Sequence, residues 1–234
     1  MSLMVRLIKP IVDSQWISVL LTQESMVLAT DEKLVFIDLE TAGLQTWRPI
    51  IQLAAIAVDS DLRELESFEV KLRFDKKRAK ANSLGRNRYC SKLWKRVAIP
   101  EKQAAIEFAG FLRRHATLDC QSASGTTFQV AQLVAHNGNF DGPFLATWYQ
   151  RLGIFMPAAY RVFCTLQRAM WLFHEDRSLT PPNDFKLLTL CQYFGVPLAA
   201  HDAHDALNDV RATLALYREF FRQHGMKPQA NLIA

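Results

Sequence analysis

Three stretches with the look of β-strands follow one another before any helical period begins, and this order constrains the fold more than any other feature of the chain. Residues 34–39, LVFIDL, form a short β-rich run, and Ile50 to Val58 is a mostly apolar run with the length of a buried strand. Next, Phe68, Val70, Leu72 and Phe74 alternate with Glu69, Lys71, Arg73 and Asp75, the period of a half-buried strand. Three strands in succession predict a meander. Pro100 and Glu101 then open a helix whose Ala105, Phe108 and Leu112 share a face. A strand is expected around Val130 to Ala135, with helices after Asn139, around Thr165 to Phe173 and around Phe185 to Phe194. A last helix carries Leu207, Val210, Leu214, Tyr217 and Phe221 in a one-sided stripe. This order describes a mixed sheet with helices packed on it.

At 234 residues, with 50% hydrophobic residues, the chain has the material for one domain with a real core. Cys90, Cys120, Cys164 and Cys191 lie too far apart for a zinc-finger spacing, and four free thiols in a reducing compartment are expected. Residues 1–32 read as an extension before the domain, residues 33–225 as the domain and residues 226–234 as a tail. Lys9, Pro10 and Asp13 break the N-terminal apolar stretch, so it does not read as a signal peptide, and no run spans a bilayer. A cytoplasmic protein with no membrane partner is the expectation.

Four acids stand where burial would be expensive. Asp38 and Glu40 interrupt the first strand, and residues two apart on a strand point to one face. Alone, the pair could be a strand edge facing water. Asp141 falls in the first turn of a helix just after an apolar strand, where it could merely favour the helix dipole, with Asn137 or Asn139 as a cap. Asp209 lies on the last helix and could be an ordinary solvated residue. His204 precedes it by five residues, roughly 140° around an ideal helix, so His204 should sit at or before the helix start. As a set, four carboxylates without cysteine suit Mg²⁺ or Mn²⁺ rather than zinc, and two divalent ions would offset their charge. Such a site stabilises the attacking and leaving oxygens of a displacement at phosphorus, with a histidine as base for water.

These residues resemble the DEDDh 3′–5′ exonucleases, which include proofreading epsilon subunits, ribonuclease T and oligoribonuclease. The family's three signatures read here as Asp38-Leu39-Glu40-Thr41, Asn137-Gly138-Asn139-Phe140-Asp141, and His204-Asp205-Ala206-Leu207-Asn208-Asp209. Residues 184–197 look like the family's helix before the third signature. The resemblance implies an α/β, ribonuclease H-like fold with a mixed five-stranded sheet flanked by helices. It implies hydrolysis of the 3′-terminal phosphodiester to nucleoside 5′-monophosphates with two Mg²⁺ or Mn²⁺ ions. Asp38 would bridge both metals, Glu40 and Asp209 would hold the one that activates water, Asp141 would support the second, and His204 would be the general base. The backbone from Thr41 to Leu44 would cradle the terminal nucleotide, with Leu44 a wedge, and Asn137 and Phe140 would lie beside the substrate. His201, the rival histidine, fails the spacing because Ala206 stands five residues on. His201, Asp202 and Asp205 read as solvated or capping groups, and His136 as a residue packed beside the strand end.

Outside these signatures lies a basic segment. Residues 76–100 hold nine basic side chains and no acidic one; removing nine from the chain's 28 leaves 19 against 23 acids, an acidic body with one basic insertion. Arg86, Arg88, Lys92 and Lys95 alternate with Tyr89 and Trp94, a pattern suited to phosphates and bases of a single strand. The bland alternative is a solvated loop. An arm of this length favours DNA over RNA, and single-stranded 3′ ends are the expected partner. A homodimer, or membership in a polymerase or repair complex, stays open. Two rival functions are a catalytically idle or polymerase-associated binding module of the same fold, and a ribonuclease H-like endonuclease or transposase.

Overall fold

A computed structural model describes residues 32–200 and 203–223; the expected extension, apart from its last residue, together with His201, Asp202 and the tail, falls outside the described residues. The three expected strands are β1 (Leu34–Thr41), β2 (Ile50–Val58) and β3 (Glu64–Lys71). A 3₁₀ turn (Lys76–Arg78), α1 (Ala81–Arg86) and α2 (Ser91–Val97) follow, then α3 (Glu101–Arg114). A hairpin of β4 (Leu118–Gln121) and β5 (Thr127–Val130) precedes β6 (Gln132–Ala135), α4 (Gly138–Leu152) and β7 (Phe163–Cys164). The chain ends in α5 (Thr165–Glu175), α6 (Leu187–Phe194) and α7 (Ala206–Gln223).

The main sheet has five strands in the order β3-β2-β1-β6-β7. β2 is antiparallel to both neighbours, whereas β1, β6 and β7 run parallel. The sheet is therefore mixed, as expected. All nine residues of β2 are buried, which explains why it reads as a continuous apolar run rather than an alternation. Strand β1 sorts its residues by face. Val35, Ile37 and Leu39 join the core beneath α3 and α4. Phe36 joins the opposite core with Val210 and Leu214 of α7. Asp38 and Glu40 continue the Phe36 face beyond that apolar patch, so the α7 side turns acidic at the end of the strand.

Two strands depart from expectation. The alternation through Phe74 outlasts the strand: β3 stops at Lys71, Leu72 bridges to Ile99 in parallel, and Phe74 packs on Tyr89 with ring centroids 5.3 Å apart. The run from Val130 to Ala135 is not one strand. The chain changes sheet at Ala131, whose amide donates to the Pro157 carbonyl and whose carbonyl accepts from the Ala159 amide. The basic segment is no extended arm either. Its helices close a fourth core cluster of Ala42, Ile51, Trp94 and Ala98, with Phe74, Leu84 and Tyr89 packed against it.

Candidate active site

Parallel strands β1 and β6 end at the same edge of the sheet, with Ile37 paired to Ala135. Strand ends of this kind are where open α/β sheets place their sites. From there the chain after β6 turns into α4 and presents Asp141 in its first turn, 3% exposed, while the first turn of α7 brings Asp209, 8% exposed, onto the Asp38 and Glu40 face. The backbone is forced locally. Of the four non-glycine residues with positive φ among those described, Arg88 (51°), Asn137 (71°) and His204 (64°) all belong to segments that meet here. Left-handed residues of this kind gather at functional sites because surrounding structure must hold them.

The third signature is tightly bound to itself. The His204 amide donates to Asp209 Oδ2 at 3.0 Å, so the residues before α7 fold back on its first turn. Asp205 caps the helix, accepting from the Asn208 amide at 3.4 Å, and its other oxygen accepts from Gln52 Nε2 at 3.2 Å. Gln52 sits opposite Glu40 on β2 and donates also to Glu69 Oε1, so it anchors the start of α7 to the sheet. Ligand atoms of Glu40, His204 and Asp209 lie within 4.8 Å of one another, and Asp209 Oδ1 is buried without a hydrogen-bond partner among the described residues. A carboxylate with one orphaned oxygen, on a residue grouped with two further ligand side chains, fits a divalent cation.

The electrostatics agree. Burial pushes Glu40 up to about 8, with Asp209, Asp141 and Asp205 adding to the rise and Arg88 opposing it. Burial likewise lifts Asp141 to about 8, against backbone hydrogen bonds that favour its charge. Asp209 rises to about 6, and Asp38 rises well above the usual carboxylate range through burial and then the charges of Asp141, Glu40, Asp209 and Asp205. Each acid resists ionisation first because it is buried, and Asp38 and Glu40 also because the other acids stand close. His204 is held below its usual value by desolvation, then by Arg86 and Arg88, which keeps the imidazole neutral and able to accept a proton.

The basic segment clamps the loop between β1 and β2. Asn87 Nδ2 donates to the Thr41 carbonyl at 2.9 Å, the Lys80 amide to the Ala42 carbonyl at 2.8 Å, and Arg48 Nη1 to the Arg78 carbonyl at 2.7 Å. Arg88 lies near enough to act on Glu40 and Asp209, and Arg86 and Arg88 on His204, while Lys92 and Lys95 stay exposed on α2. Trp94 corrects an expectation. It is 5% exposed, its Nε1 donates to the Ile51 carbonyl, and Tyr89 packs on it with centroids 5.1 Å apart. An indole spent inside the protein has no face for a base, and Tyr89 is half-buried beside it. Thr41 is buried too, its hydroxyl donating to the Gly43 carbonyl at 2.7 Å, so the loop offers Leu44, 73% exposed, as its outward residue. Asn137 is exposed at the start of α4 but makes no side-chain cap bond, and Phe140 packs on Phe144. Sequence reasoning missed Gln52 and Asn87, because polar anchors between distant segments leave no local period.

His136 lies just beyond β6. Its Nδ1 pairs with Thr165 Oγ1 at 2.9 Å and its Nε2 with the Phe185 carbonyl at 3.0 Å, which fixes the proton on Nε2 and joins β6 to α5 and the approach to α6. Desolvation lowers its pKa below the ordinary 6.5. The neutral ring therefore contributes stability that is present above 6.5 and lost as pH falls through the lowered value. Acidification from about pH 7.5 to about pH 5 should cost the wild type more melting temperature than His136→Gln, as read by paired thermal melts.

Among the described residues no helix is long and apolar enough to cross a membrane. Residues 121–217 match the RNase T exonuclease family. The PolC-type DNA polymerase III of Halalkalibacterium halodurans is 28% identical over 204 residues, which cover 81% of this chain and 11% of the polymerase. E. coli exonuclease I in complex with a dT13 oligonucleotide superposes with a TM-score of 0.64 at 19% identity, over 82% of this chain and 41% of that one. Exonuclease I from Methylocaldum szegediense gives 0.66 at 17% identity, over 84% and 42%. The chain thus spans well under half the length of these relatives. The family match over residues 121–217 and the shared exonuclease I fold make this chain similar to these exonucleases, and its ordered acids with their histidine stand at the strand ends as the resemblance to the DEDDh exonucleases implies.

Proposed function

We propose that the protein is a metal-dependent 3′–5′ exonuclease that removes nucleoside 5′-monophosphates from single-stranded nucleic acid, DNA in preference to RNA. The carrying observation is the convergence of Asp38, Glu40, Asp141 and Asp209 beside His204 at the end of β1. In this reading Asp38 would bridge two ions, Mg²⁺ or Mn²⁺, with Glu40 and Asp209 on one and Asp141 supporting the other. Bound there, the cations would offset the carboxylate charge and stabilise the attacking and leaving oxygens. His204 takes the proton of the attacking water; the new bond joins that oxygen to phosphorus, and the bond from phosphorus to the preceding 3′-oxygen breaks. The exposed His204 ring and its amide tie to Asp209 support this role, since the base stands at the mouth of the acid pocket. Leu44 abuts the terminal base, with Asn137 and Phe140 beside it. Arg86 and Arg88, with Lys92 and Lys95 behind them, draw the phosphates.

DNA is favoured because the related exonuclease I has been crystallised with oligothymidylate and oligoadenylate strands. The likeness to a PolC-type polymerase supports a cytoplasmic role beside a polymerase. Digestion of 5′-labelled single-stranded DNA, duplex DNA and RNA tests the reading. Single-stranded DNA should shorten stepwise to mononucleotides with Mg²⁺ or Mn²⁺, stop with chelator, and resist when the 3′ end is blocked. Internal cutting of the blocked strand would replace this reading with an endonuclease.

A further inference from the structure

A trough of about 1330 Å³ runs along edge strand β7, between α4 and α5. It passes beside the candidate site without including its acids: Gly138 and Asn139 line it from the turn that presents Asp141, and Thr46 from the loop that holds Leu44. Its floor is close-packed. A Cβ on Gly138 would stand 3.0 Å from Val162 Cγ1, and one on Gly142 would stand 3.1 Å from Val162 Cγ2, so these glycines let α4 seat against the strand. Its walls carry the rings that the basic segment does not offer. Tyr160 is 72% exposed, Trp171 62% and Phe163 43%. Arg161 and Arg168 also line it, against one acid, Glu175. Arg168 is half-buried with its guanidinium 5.7 Å from the Phe221 ring, and its buried Nε has no hydrogen-bond partner among the described residues.

Exposed aromatic rings beside cations, in a groove that flanks the turn bearing Asp141, have the chemistry of a single-strand track: every base has a face to stack, and every phosphate a charge to pair. We propose that this trough carries the strand upstream of the scissile 3′ end, with bases stacked on Tyr160 and Trp171 and phosphates drawn by Arg161 and Arg168. The proposal rests on the exonuclease reading and assigns it a binding track separate from the basic segment. It also assigns a division of labour: the loop and acids handle the terminal nucleotide, and the trough supplies affinity for longer strands.

The test is a Tyr160→Ala/Trp171→Ala double variant, whose exposed positions leave the core untouched, with melting temperature as the check on folding. Binding of a fluorescent oligothymidylate dodecamer in Ca²⁺ should weaken at least about tenfold, because each lost stack removes a substantial share of the affinity. Hydrolysis of a dinucleotide should stay within about twofold of wild type, since it does not reach the trough. Trp171→Phe with Tyr160→Phe should restore dodecamer binding. Unchanged dodecamer binding by the alanine variant would overturn the track while leaving the exonuclease reading standing. Absence of hydrolysis by the wild type on any strand would overturn the exonuclease reading itself. Loss of a wild-type dimer in the alanine variant, by sedimentation, with strand binding intact, would give the trough to a second copy and overturn the proposal.

Discussion

Replacing Asp38 by asparagine is expected to abolish hydrolysis and, at the same time, to stabilise the metal-free protein at alkaline pH. The first effect follows from position: Asp38 shares a strand face with Glu40 and feels Asp141, Glu40 and Asp209 together, so no other acid can stand in for it. Loss of one preorganised electrostatic element in such a site lowers turnover by at least about 10²–10³-fold. The second effect follows from the charge the cluster stores. Glu40 and Asp141 are lifted to about 8 and Asp209 to about 6, so the folded state holds protons that the unfolded chain releases. Stability from these groups is fully present below their ordinary values near 4 and is lost as pH rises through the lifted ones. In chelator the wild type should therefore lose melting temperature between about pH 5 and pH 8.5, and Asp38→Asn should lose less. Mn²⁺ should restore the wild type at the alkaline end and the variant less, because ligand binding adds stability only where a site exists. Equal melting curves for both proteins across the range would mean that the acids do not repel one another.

The convergence of the candidate acids was legible because it obeys periods. Asp38 and Glu40 share a face by the two-residue repeat of a strand, and the stripe from Leu207 to Phe221 is the repeat of α7, whose first turn carries Asp209. His204 was placed before the helix by the angle it makes with Asp209, and the chain meets that demand with left-handed backbone. The basic segment was misread for the opposite reason. Its inward residues Ala79, Leu84, Tyr89 and Trp94 recur every five positions, a step that belongs to neither helix nor strand. Their burial is decided by Ala42 and Ile51, which lie far back in the chain. The change of sheet at Ala131 has the same character: the apolar run is continuous, and only the hydrogen bonds with the stretch from Pro157 to Ala159 divide it. The two residues of β7 are too few to carry a period at all, yet their edge borders the trough.

Trp94→Ala should be the most destabilising single change in the basic segment, about 3–5 kcal/mol, or roughly 6–20 °C in melting temperature for a domain of this size. The indole fills the space between Ala42, Ile51 and Ala98 and carries the Tyr89 ring on its side. Trp94→Phe should cost less, because the Ile51 carbonyl that loses the Nε1 donor still accepts from the Leu72 amide. The functional consequence separates this role from base stacking. With the indole gone, α2 and the turn that bears Asn87 and Arg88 lose their seat, and the Asn87 bond to the Thr41 carbonyl weakens with them. Substrate affinity should fall for short and long strands alike, since the damage lies at the loop proposed to receive the terminal nucleotide. Mn²⁺ binding should hold, since Asp38, Glu40, Asp141 and Asp209 are seated by β1, α4 and α7 rather than by α2. A stable Trp94→Ala variant with weakened binding of long strands alone would instead show the indole turned outward to stack on a base.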